Sequence, residues 1–150
     1  MTWTELLANR EVQKHRTSKN ELDNMRDLNA RDLADAALKG LSADRRFATA
    51  YNVALQAANM AIACSGYRVT AAAGHHRISL ESVRLAVGPT VDKYADYFET
   101  CRRKRNTIDY THSHVATETE AEEILRTAEQ FHKVIEAWIA KNHPELMAKV

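Results

Sequence analysis

The stretch SADRRFATAYNVALQAANMAIACSG, residues 42–66, decides the fold. Phe47, Ala50, Tyr51, Ala54, Leu55, Ala58, Ala61 and Ile62 recur at i, i+3 and i+4, the repeat of one helix face. Ser42 is placed to cap the helix and Gly66 to close it. Alanines crowd the apolar face, and small side chains let a neighbouring helix approach closely. The helix is therefore predicted at the centre of a bundle or at a subunit contact.

The flanking sequence reads the same way. Thr2 and Glu5 have capping-box spacing and predict a short helix over Trp3 to Asn9. A polar joint, KHRTSKN, follows at 14–20. Ser18 and Glu21 form a second box, ahead of an imperfect stripe of Leu22, Met25, Leu28, Leu33 and Leu38 that Gly40 ends. Beyond the central stretch, Gly74, His75 and His76 read as a loop, and a short helix covers about Ser79 to Val87. Gly88 and Pro89 break it. A long helix starts near Thr90 with Val91, Tyr94, Tyr97, Phe98 and Cys101 inward. Thr117 and Glu120 open the last helix, which buries Ile124, Leu125, Ala128, Phe131, Val134, Ile135, Trp138 and Ile139 before Pro144. No alternation of period two lasts more than a few residues. These segments predict an all-α, antiparallel four- to five-helix bundle, a single domain over 1–150 with its core at about 18–140.

Composition agrees. With 150 residues, 45% of them hydrophobic, the chain can bury one core, and 4 Gly and 2 Pro are too few for the turns of an all-β fold. A net charge of +1 excludes a general polycation, so any nucleic-acid binding must come from a local patch. Cys64 and Cys101 lie far apart and form no CxxC pair, which points to buried free thiols rather than a metal site or a disulfide. No metal and no cofactor are predicted. The N-terminal segment has no apolar signal region and no run reaches a membrane span, so a soluble cytoplasmic protein is expected.

The chemistry concentrates in CRRKRNTIDYTHSH, residues 101–114. Arginine holds an anion at any cellular pH, and histidine exchanges a proton near neutrality. Cations near a helix C-terminus also serve the helix dipole, which accounts for one or two of Arg102, Arg103 and Lys104. Four successive helical residues point all round the helix, so they cannot all serve one site. Arg105, next to Asn106, is the one singled out. His75 and His76 read as a solvated loop that could also line a phosphate cleft. Arg45 and Arg46 stand at a helix start, where cations are unfavourable, and this suggests a paired carboxylate or an anion partner.

Four segments together resemble a HEPN domain (higher eukaryotes and prokaryotes nucleotide-binding). They are AYNVALQAANMAIACSGYR, GHH, RRKRNTIDY and a capped acidic helix ending IEAWI. The RNTIDY segment is closest to a subgroup with Asp-Tyr a few residues after the Arg. The resemblance implies a small helical bundle that usually dimerises. Many members are metal-independent ribonucleases of toxin or defence type, with an Arg, often a polar residue, then a His after four to six intervening residues. Carried onto this chain, Arg105 is the Arg, Asn106 the polar follower, and His112 the His, with six residues between. His112 would take the proton of an RNA 2'-hydroxyl while Arg105 stabilises the phosphoryl oxygens. Arg102, Arg103, Tyr110 and His114 are the accompanying phosphate or nucleotide contacts. Tyr110 stands where the commonest form has its His. That departure supports an alternative, a non-catalytic nucleotide- or partner-binding module. Such a module could pair with a nucleotidyltransferase, which can modify a Tyr near the motif. The expected partners are RNA or a nucleotide and a second copy of the chain.

Overall fold

A computed structural model describes residues 1–71, 74–110 and 112–149, the side chains of residues 109 and 110 excepted. Six α-helices carry the described chain: α1 (Trp3–Ala8), α2 (Lys19–Ala36), α3 (Ala43–Cys64), α4 (His75–Val87), α5 (Asp92–Tyr110) and α6 (Glu118–Asn142). Two three-residue strands, β1 (Val12–Lys14) and β2 (Tyr67–Val69), pair antiparallel with Val12 opposite Val69. The protein is an all-α helical bundle with this small two-stranded sheet attached.

Capping residues start the helices as the sequence predicts, with one variation. Thr2 with Glu5 and Thr117 with Glu120 form reciprocal capping boxes. At α2, Ser18 Oγ accepts from the Glu21 amide at 3.1 Å, but the Glu21 carboxylate turns away from the cap. It accepts instead from His15 at 2.7 Å and Thr17 at 2.8 Å, tying the 14–20 joint to the helix.

Helix α3 is the axis of the bundle. Phe47, Ala50, Tyr51, Ala54, Ala58, Ala61 and Ile62 are all buried, and so are Val53, Ala57 and Met60 outside the predicted face. A helix buried around most of its girth must be covered on several sides, and α2, α4, α5 and α6 all pack on it. Ion pairs and ring contacts give the directions. Arg46 near the start of α3 reaches Glu118 at the start of α6 at 3.2 Å, so α3 and α6 begin at the same end. Arg26 of α2 reaches Glu136 late in α6 at 2.8 Å, so α2 runs against them. Helix α5 also runs against α6, since Tyr94 meets Phe131 and Lys104 pairs with Glu120.

Three details differ from the sequence reading. Helix α2 stops at Ala36, leaving Leu38 at 57% exposure, and Leu28 lies off the buried face at 41%. Asn29 takes the inward place instead, with its amide donating to the Val53 carbonyl at 3.2 Å and sitting 3.0 Å from His132 Nδ1. Helix α4 begins at His75, four residues before the predicted start at Ser79, because Gly74 at φ 81° turns the chain directly into it. On α6, Ile124, Ala128, Phe131, Ile135 and Ile139 are fully buried, whereas Leu125, Val134 and Trp138 pack at the border of the core. A second small cluster of Leu6, Val12 and Ile78, closed by Trp3 stacked on Tyr67 at 4.2 Å, fastens the N-terminal segment to the two-stranded sheet and α4. Cys64 and Cys101 are buried free thiols, and burial pushes each up to about 11.

Candidate phosphate site

The cationic run lies within α5, and the helix distributes its members. Arg102, Arg105 and Asn106 are spaced i, i+3 and i+4 and share a face. Lys104 turns to α6 and pairs with Glu120. Arg103 is exposed. Arg102 donates to the Glu99 carboxylate one turn earlier at 2.8 to 3.2 Å.

The shared face opens on a cavity of about 500 Å³ lined by Gly74, His75, His76, Arg77, Arg102, Arg105 and Asn106. Among the described residues, three arginines, two histidines and an asparagine line it. The wall opposite α5 is the first turn of α4. Its N-cap is Gly74, which has no side chain to accept from the first amides of that helix. Such amides, at the positive end of the helix dipole, are natural anion donors.

Helix α3 forms the floor. The Arg105 guanidinium lies 5.7 Å from the Tyr51 ring centroid and donates to Asn52 Oδ1 at 3.3 Å. Tyr51 Oη is 3.5 Å from His76 Nδ1, the outer limit of a hydrogen bond. The His75 and His76 rings meet edge to face at 4.5 Å. Burial above all, then His75, Arg105 and Arg102, depress His76 to about 4. His76 is therefore neutral at neutral pH. Burial likewise raises the Tyr51 phenol well above its ordinary value, so it stays protonated.

His112 and His114 line a different cavity, of about 580 Å³, with Asp44, Arg45 and Glu118. Within one chain the structure does not bring them together with Arg102, Arg105 and Asn106. His114 adopts a left-handed φ of 58° and its Nδ1 lies 3.2 Å from Ser113 Oγ. Asp44 Oδ1 accepts from the amides of Val115 and Ala116 at 2.9 and 2.8 Å and holds this segment. Arg46 finds the carboxylate its position called for in Glu118, and also donates to the carbonyls of Ala36 and Leu38. The Tyr110 backbone ends α5, and its side chain lies outside the described residues. Among the described residues no group of three or more His, Cys, Asp or Glu is placed to hold a metal ion. No helix among them is long and apolar enough to cross a membrane.

Sequence reasoning gave His75 and His76 a lesser place than the structure does, yet a signal existed. Helices α4 and α5 form a hairpin around Gly88–Val91, and residues equidistant from such a turn meet. His76 precedes Gly88 by 12 residues and Arg102 follows Val91 by 11. Tyr51 and Asn52 carried no comparable signal, because their approach depends on how α3 crosses the hairpin.

A small helical bundle with a cationic cavity between two helices defines the class. Residues 37–136 match the SAV_6107-like HEPN family, and the chain belongs to the HEPN family. No curated protein and no solved structure shows significant similarity to it.

Proposed function

We propose that the protein binds the phosphate backbone of RNA in the α4–α5 cavity and cleaves it without a metal ion. One observation carries this reading: Arg102, Arg105, Asn106, His75 and His76 line the same cavity. Arg102 and Arg105 hold the phosphoryl oxygens, with Asn106 and the α4 amides as further donors. His76 takes the proton of a 2'-hydroxyl. When Nδ1–H donates to the Tyr51 hydroxyl oxygen, Nε2 keeps the lone pair a base needs. The 2'-oxygen bonds to phosphorus, the bond from phosphorus to the 5'-oxygen breaks, and that oxygen takes a proton carried by His75. The products are a 2',3'-cyclic phosphate and a 5'-hydroxyl. A base at about 4 is weak, but a bound phosphate opposes the effect of Arg102 and Arg105 and raises its basicity.

The test is incubation of purified protein with mixed RNA in EDTA, reading cyclic-phosphate ends. Cleavage is expected, with loss in Arg105→Ala and His76→Gln. RNA left intact by the wild-type chain, or cut equally well by both variants, sinks the reading. Family membership supports a dimer and a toxin or defence role. In a dimer a second copy could also supply His112, so His112→Ala measures that route.

A second reading is a non-catalytic nucleotide- or partner-binding module, with a nucleotidyltransferase as one partner. It is favoured by Tyr110 at the usual His position and by the separation of His112 from Arg105. It predicts RNA or nucleotide binding that Arg105→Ala abolishes, with no cleavage by any form.

A further inference from the structure

A second cavity, of about 410 Å³, lies beside the phosphate cavity, between α2, α3 and the β1–β2 sheet. His75 lines both. The volume falls in the range of ~300–1,000 Å³ usual for small-molecule sites. Its apolar walls include Met25, Ile62 and Tyr67. Gln56 and Asn59, three residues apart on α3 and so on one face, form one polar edge, and His15, Glu21, Arg68, Thr70, His75 and Ser79 supply the remaining polar lining. Both residues are half-buried. A carboxamide offers a donor and an acceptor side by side, the pattern that matches a base edge such as N6 and N7 of adenine. Apolar walls with one amide-bearing edge suit a flat heteroaromatic ring. Carboxylates at the rim do not oppose this, because Glu21 is engaged by His15 and Thr17.

We infer that this cavity is a nucleobase subsite, in which Gln56 and Asn59 select the base of a nucleotide whose phosphate lies against Arg102, Arg105 and the first turn of α4. The inference rests on the phosphate reading for the second half of the ligand only. AMP is the reference probe, since N6–H and N7 of adenine present one donor and one acceptor to a carboxamide.

Calorimetric titration with AMP, GMP, CMP, UMP and ribose 5-phosphate tests it, alongside adenosine and inorganic phosphate. AMP is expected to bind about tenfold tighter than ribose 5-phosphate, the scale of one good amide–base pair. Gln56→Met and Asn59→Leu are expected to remove that advantage while leaving ribose 5-phosphate unchanged. Asn59→Asp keeps the shape, loses the donor and is expected to do the same. Four nucleotides binding no tighter than ribose 5-phosphate, or an advantage that survives in all three variants, overturns the inference. Adenosine separates the two halves. If adenosine binds and Gln56→Met weakens it while neither phosphate probe binds, the base subsite stands and the phosphate reading falls. If phosphate binds and adenosine does not, and AMP gains nothing over ribose 5-phosphate, the base subsite falls alone.

Discussion

His76 makes stability depend on pH in a direction the structure sets. Its ordinary value is 6.5, and burial, with His75, Arg105 and Arg102 around it, lowers it to about 4 in the folded chain. Between those two values the unfolded chain takes up a proton that the folded chain refuses. Stability from this group is therefore complete above about 6.5 and is lost as pH falls toward about 4. At ~1.4 kcal/mol per pH unit the ceiling is about 3 kcal/mol, and partial exposure of the ring reduces it to about 1–2 kcal/mol. His132, also depressed by burial, contributes with the same sign, so the wild-type chain alone does not isolate His76. The comparison with His76→Gln does. Urea unfolding followed by far-UV circular dichroism at about pH 7.5 and about pH 4.5 is expected to show the wild type losing about 1–2 kcal/mol more than the variant. Equal losses in the two chains would mean that His76 is not shielded at the cavity wall, and the electrostatic account of the site would fail with it.

Three further outcomes follow from the fold. Phe131 is fully buried between Tyr94 and Phe98, so Phe131→Ala is expected to cost about 3–5 kcal/mol in denaturant unfolding. Thr117→Ala removes the acceptor for the Glu120 amide at 3.0 Å and is expected to cost about 1 kcal/mol by the same measurement. Cys64 and Cys101 are buried with thiols held near 11, so a thiol reagent near neutral pH is expected to label them only after unfolding, and rapid labelling of the native chain would contradict their placement.

What was legible in the sequence depended on locality. Helices α3 and α6 declare themselves because a cap, a repeat of 3.6 and a terminator all lie within one stretch. The start of α4 did not, because His75, His76 and Arg77 show no apolar repeat and Gly74 is not a side-chain cap. The β1–β2 pair joins residues 12–14 to 67–69, three residues each, too short to alternate visibly and too distant to pair by eye. The same division runs through the candidate site. Arg105 and Asn106 stand out because their chemistry is contiguous. The histidines that share their cavity come from a different helix, and the family resemblance pointed instead to His112, which lines another cavity. Spacing along the chain finds a partner on the same helix or the next turn. A site built across a helical hairpin is found by counting outward from the turn.

The electrostatics explain how a chain of net charge +1 can present an anion site. Clustered arginines repel one another, and the helices offset that repulsion from outside the cavity. Glu99 holds Arg102 from one turn back on α5, and Glu81 holds Arg77 at 3.0 Å from one turn on along α4. Neither glutamate lines the cavity. Each ion pair fixes a guanidinium in place while leaving the cavity side to the cations, the histidines and the α4 amides. In the proposed reading, phosphate recognition falls to α5 with the start of α4 and base recognition to the polar edge of α3, with His75 lining both cavities.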